Sequence, residues 1–139
     1  MFTFNIIAVI LAAVASFILG FLFHGPIAGK LWMKLANIHP TGKEKFSDMI
    51  HQMAWNLIVN IVTAFVMAGT FWLVFSSPIM GPAIWYKGAI LGGWLWLGFL
   101  VPSSSIEVIW MGRSFKLWLF ETVCSLITMV VMGIVLVIW

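Results

Sequence analysis

The chain has 139 residues, of which 63% are hydrophobic and 8% charged. A soluble domain carries about a quarter charged residues to face water, so a water-facing surface is excluded and the solvent is lipid. The lone cysteine, Cys124, excludes an internal disulfide and a cysteine-built metal site. The net charge of +3 comes without the basic, aromatic-interleaved face that would bind nucleic acid.

Spanning about 30 Å of hydrocarbon takes roughly 20 helical residues at about 1.5 Å each. Residues 4–23 supply a first such run with no charge. A secretory signal needs a basic n-region, and nothing before Lys30 is basic, so this run reads as a retained anchor. A polar segment follows over 24–48, in which Lys43, Glu44 and Lys45 form a solvated loop. The second run, 49–75, is interrupted by His51, Gln52, Asn56 and Asn60. Pro78, Gly81 and Pro82 mark a turn over 76–82. The third run, 83–109, is the weakest, with Lys87 near its start and Pro102, Ser103, Ser104 and Ser105 near its end. The fourth, 115–138, is strong except for Glu121. Unpaired backbone groups are costly in lipid, and the runs are long and apolar on every side, so they are helices rather than barrel strands. The expected fold is all-α: one integral membrane domain over 1–139, an antiparallel four-transmembrane-helix bundle.

Orientation follows from the basic residues. Lys30, Lys34, Lys43, Lys45, Arg113 and Lys116 fall in the first and third loops, whereas the opposite side has Lys87, close enough to the boundary to snorkel. The positive-inside rule puts those two loops in the cytoplasm and both termini outside. Trp32, Trp55, Trp110 and Trp118 fall near the cytoplasmic interface, and Trp72, Trp85, Tyr86 and Trp139 near the outer one. Trp94 and Trp96 fall mid-span and call for a packing role.

Helices in lipid associate through close backbone approach and a few polar contacts. Ala8, Ala12, Ser16 and Gly20 make a small-residue stripe on the first helix. Asn56, Asn60, Ala64 and Ala68 do so on the second, and Gly88 and Gly92 open the third. Pro102 should kink or break the third helix, and the serines after it can satisfy the freed carbonyls.

Glu121 is the main candidate for chemistry. It lies five residues beyond Lys116, roughly 7–8 Å below the cytoplasmic boundary, and a carboxylate there is costly unless paired. Asn56 and Asn60 enter from the same side, and Ser125 continues the face of Glu121. With His24 at the end of the first helix, these residues are expected to form one cluster opening toward the cytoplasm. The plainer reading is interhelical glue, with Glu121 paired to Lys30, Lys34 or Arg113. A haem between His24 and His51 is a further option, though no carboxylate or cysteine has metal-ligand spacing around them. His39, beside Pro40, reads as solvent-facing polarity. No nucleophile–base pair, phosphate loop or metal motif is present, so neither enzymatic activity nor a cofactor is expected.

Asn5, then Gly20, then the run His24-Gly25-Pro26-Ile27-Ala28-Gly29-Lys30-Leu31-Trp32-Met33 resembles the opening of the domain-of-unknown-function 1761 family. Gly88 to Gly98, Gly112-Arg113, Glu121 and Trp139 continue the resemblance over nearly the whole chain. His24 stands where the family usually has an aromatic, often tyrosine, which weakens any role needing a phenol. The resemblance implies four transmembrane helices in a bacterial cytoplasmic membrane and no assigned activity. It also points to the segment from His24 to Trp32: Gly25 and Gly29 permit tight turns, Pro26 starts a short interfacial helix, Trp32 anchors it, and Lys30 points to phosphates or back toward Glu121. Three roles remain open: a non-enzymatic oligomeric or partner-binding membrane subunit, a small oligomeric transporter or channel, and a lipid- or cofactor-binding subunit. The first expects Glu121 buried against a basic side chain with no cavity; the second expects a water-accessible cavity at Glu121, Asn56 and Asn60.

Overall fold

The computed structural model describes residues 2–43 and 45–139; Glu44, in the loop with Lys43 and Lys45, lies outside the described residues. Every element among the described residues is helical: α1 (Ile6–His24), α2 (Gly29–Ala36), α3 (Phe46–Phe75), a 3-10 turn (Pro78–Met80), α4 (Trp85–Leu95), a π turn (Trp96–Leu100), α5 (Val101–Met111) and α6 (Phe115–Ile138). Four segments are long and apolar enough to cross a membrane: α1, α3, the continuous run Trp85–Met111, and α6.

Local chemistry sets the ends. The Asn5 side chain accepts from the Ile7 N–H at 2.9 Å, capping α1, and its amide donates to the Trp139 carbonyl at 3.1 Å, tying the start of α1 to the end of α6. At the other end of α1 the chain folds back so tightly that a Cβ on Gly25 would meet the Phe21 carbonyl oxygen at 2.8 Å, and one on Gly29 the His24 carbonyl oxygen at 2.9 Å. Both positions therefore require glycine, as the motif implies. Pro26, however, lies in the turn, and the short helix begins at Gly29. Asn37, at φ 55°, ends α2 by donating its N–H to the Met33 and Lys34 carbonyls.

The second spanning helix is longer than the apolar run implied. It starts at Phe46 rather than Met49 and runs for 30 residues, about 45 Å against a hydrocarbon core of about 30 Å. The extra turns hold Asp48, whose carboxylate complements the helix N-terminus. In the turn beyond α3, the Lys87 ammonium donates to the carbonyls of Met80 at 2.6 Å and Pro82 at 3.0 Å. Lys87 thus closes its own loop rather than only reaching outward.

The third span runs on through Pro102 without a break, but it winds wider just ahead of the proline, which removes a donor. The π turn over Trp96–Leu100 absorbs the missing donor, and α5 resumes with Pro102 as its second residue. The serines then bond back: Ser103 to Phe99 O at 2.5 Å, Ser104 to Leu100 O at 2.7 Å and Ser105 to Pro102 O at 2.7 Å.

Helix α6 is the centre of the bundle. It packs against α1 on one side and α4 on the other, while α3 packs on α1 and barely touches α4 and α6. Contacts descend α6 as the chain climbs α4: Gly88 meets Gly133, Gly92 meets Met129, and Trp96 meets Ser125. The two backbones lie so close that a Cβ on Gly88 or Gly133 would overlap the carbonyl of the other, the approach that small residues permit in membranes. The core joins Ala8, Ala12 and Ala13 of α1, Ala64, Ala68 and Phe71 of α3, and Met129, Met132 and Leu136 of α6. The stripe on α1 is buried at Ala8, Ala12 and Ser16 but stops there. Gly20 has open space beside it and lines a cavity instead. On α3 the stripe is buried at Ala64 and Ala68, and Asn56 is exposed. Of the mid-span tryptophans, Trp94 is 65% exposed on the outside of the bundle. Trp96 turns inward, its indole N–H bonded to Thr122 O and Ser125 Oγ, both at 3.0 Å.

Candidate functional site

The charged part of the site is built by a hairpin. Gly112, at φ 65°, ends α5, and the chain turns through Arg113 and Ser114 straight into α6. The guanidinium is thereby folded between the two helices, one arm on Glu107 at 2.6 Å and the other on Glu121 at 2.9 Å. The three side chains are partly covered, at 46% exposure for Glu107, 34% for Arg113 and 28% for Glu121. Among the basic candidates, Arg113 is therefore the partner of Glu121. Lys30 and Lys34, on α2, make no ion pair among the described residues.

Glu121 is nonetheless not sealed. It lines a cavity of about 250 Å³ between α1, α3 and α6, together with His24, Asn56, Asn60 and Ser125. All five residues expected to cluster thus meet in one space, drawn from three helices. Ser16, Thr63, Cys124 and Thr128 complete its polar wall. A second cleft, of about 380 Å³, runs between α5 and α6 and shares Glu121, Ser125 and Leu100 with the first, adding Ser103, Ser104, Glu107 and Trp118. A third, of about 410 Å³, lies between α1, α2 and the start of α3 and shares Gly20, His24 and Asn56, adding Trp32 and Gln52. The polar half of the bundle therefore holds three neighbouring spaces that share wall residues, with Glu121 in two of them and His24 in two. The roomier cleft of about 560 Å³ at the opposite end, beside Asn5 and Trp139, has no titratable side chain in its wall.

Hydrogen bonds hold the lining in place. Asn60 donates to the Asn56 carbonyl at 2.8 Å and side-chain oxygen at 2.6 Å, and its own oxygen accepts the Ser16 hydroxyl. The Trp118 indole donates to Ser104 Oγ at 3.0 Å. His24 Nδ1 lies 2.9 Å from the Gly20 carbonyl, which can only accept, so that nitrogen carries the proton. The His24 ring stands edge-on to Trp32 with centroids 4.9 Å apart. His51 is exposed on α3, and no group of three or more His, Cys, Asp or Glu that could hold a metal exists among the described residues.

The five residues of the expected cluster share one cavity wall, but the sequence reading does not join Glu107, Arg113 and Glu121 into one unit. The signal was present: an arginine in a short loop, with acids about one and a half turns before it and two turns after it. Gly133 was also missed, because one glycine in an apolar helix does not announce which neighbour approaches it.

No curated protein and no solved structure matches the chain. Residues 7–137 match the family described as "Protein of unknown function (DUF1761)". The match runs through all four spanning helices, including the His24–Met33 motif and both halves of the polar site, and the chain belongs to that family.

Proposed function

We propose that the protein is a small, non-enzymatic solute-binding membrane protein, a transporter or channel subunit whose polar site around Glu121 opens toward the cytoplasm. The observation that carries this reading is the convergence of His24, Asn56, Asn60, Glu121 and Ser125 on one cavity. Pure interhelical glue calls for hydrogen bonds and close packing, and not for a space beside the carboxylate. The positive-inside bias supports cytoplasmic placement of that end, in an antiparallel four-span bundle in a bacterial inner membrane with both termini periplasmic. Among the described residues no hydroxyl or thiol of the site hydrogen-bonds to His24 or Glu121, which supports binding rather than catalysis.

A single copy has little room for a continuous pathway, so the working form is an oligomer. In support, only 6% of the third span's apolar window is buried, against 33% for α6. The same observation favours a second reading, in which that span docks on a partner membrane protein. Native mass spectrometry from mild detergent tests the two together. A dimer or larger assembly retaining a small extra mass is the expected result. A bare monomer would contradict the oligomeric pathway and shift the assignment to a partner-bound subunit.

A further inference from the structure

We infer that the cavity beside Glu121 takes a small monovalent cation, an alkali or ammonium-type ion, rather than an anion or a neutral hydrogen-bond acceptor; this rests on the binding role proposed above. The argument is an inventory of what the walls have left to offer. Arg113, the one cation at the site, has both arms on carboxylates and lines neither the 250 Å³ nor the 380 Å³ space, whereas Glu121 lines both. One arginine against two carboxylates leaves the unit with a net charge of about −1 when both acids are ionised, so a single positive charge completes it.

The neutral lining points the same way, because its protons are already committed. Thr63 donates to Val59 O at 2.9 Å, Ser125 to Thr122 O at 2.8 Å and Thr128 to Cys124 O at 2.9 Å. Ser16 donates to Asn60, and Asn60 donates to Asn56. A hydroxyl has one proton and two lone pairs, so what these groups have left is acceptor capacity, reduced at Ser125, which accepts from Trp96, and at Asn60, which accepts from Ser16. With Nδ1–H committed to the Gly20 carbonyl, the neutral form of His24 has Nε2 left as an acceptor. Apart from the Cys124 thiol, the Asn56 amide is the one side-chain donor in the wall without a partner among the described residues. A space rich in oxygen acceptors, with a carboxylate at one side and almost no donors, is complementary to a hard cation or an N–H donor. An anion would meet repulsion from Glu121 and lone pairs wherever the wall is polar, the rest being apolar at Phe23, Leu100, Met129 and Met132.

The test is thermal unfolding of the full chain in mild detergent, followed by tryptophan fluorescence. One series varies the cation at constant chloride (sodium, potassium, ammonium, methylammonium). The other varies the anion at constant sodium (chloride, acetate, phosphate). One cation is expected to raise Tm saturably by about 3 °C, and the anion series to be flat. Glu121→Gln should weaken the half-saturating concentration at least tenfold. Should that variant not fold, the near-isosteric double variant Thr63→Val/Thr128→Val keeps every charge and should weaken it about threefold. A response across anions and none across cations would overturn the cation assignment while leaving the binding role standing. A cation response unchanged in the variants would place the ion elsewhere and overturn the assignment too. Flat responses in both series, together with no retained mass by native mass spectrometry, would remove both.

Discussion

Arg113 and Glu121 are partners, yet their removal should not cost the same. Arg113 holds two carboxylates at 2.6 and 2.9 Å, so Arg113→Met strands both acids within reach of each other and of a low-dielectric wall. Breaking a buried pair costs about 3–5 kcal/mol, and partial exposure discounts this to about 1–3 kcal/mol. Glu121→Gln leaves the guanidinium still paired with Glu107, and the loss should stay below about 1 kcal/mol. Melting both variants in detergent checks the ordering; a larger loss for Glu121→Gln would mean that Glu107 contributes little. At this scale the sequence was informative about single residues and less so about their joins. A carboxylate in an apolar run stands out by its desolvation cost, and the asparagines on α3 by their depth. The choice of Arg113 over Lys30 or Lys34 depended on the Gly112 hairpin, whose left-handed residue decides where the next side chain points. Gly20 shows the opposite failure: its spacing fits the stripe, but a Cβ there would have nothing within 4 Å, and it lines a cavity.

At the scale of elements, the α4–α6 seam is the most tightly specified contact. A methyl on Gly88 would overlap the Gly133 carbonyl, and one on Gly92 the Met129 carbonyl, whereas a methyl on Gly93 or Gly69 would have nothing within 4 Å of it. Gly88→Ala or Gly133→Ala should therefore destabilise by about 1–3 kcal/mol, the range for overpacking. Gly93→Ala should be neutral or slightly stabilising through helix propensity. Equal melting temperatures for the Gly88 and Gly93 variants would show that the seam is looser than the backbone distances require. That the third span is disturbed near Pro102 was legible because proline removes a donor wherever it falls in a helix, although the disturbance is a wider turn and not a break. Its form as a π turn, with Trp96 pinned to α6 by two hydrogen bonds, depends on tertiary contact and has no local signature. The start of α3 at Phe46 was missed for a related reason. Hydropathy reports where a helix is apolar, not where it ends in water.

At the scale of the molecule, charge scarcity and four long apolar runs were enough to identify a multi-pass helical chain, since lipid leaves few other ways to satisfy the backbone. The order of helices around the bundle was not legible. All four are apolar around much of their circumference, so amphipathicity cannot rank neighbours, and α3 rests on α1 rather than on the α4 that follows it. That arrangement leaves room between α3 and α6 for the polar cavity, and the proposed role requires this cavity to be open to water at the end the positive-inside rule assigns to the cytoplasm. Cys124 reports on it directly. It is the one cysteine in the chain, is 8% exposed, and lines the cavity next to Glu121. A membrane-impermeant, positively charged methanethiosulfonate reagent applied to oriented vesicles should add one label to Cys124 when it has access to the cytoplasmic face and none from the other face, as read by intact mass. A thiol that stays unlabelled from the cytoplasmic face in the folded protein, yet reacts readily after denaturation, would mean that the cavity is closed to water and would return the polar cluster to the role of packing.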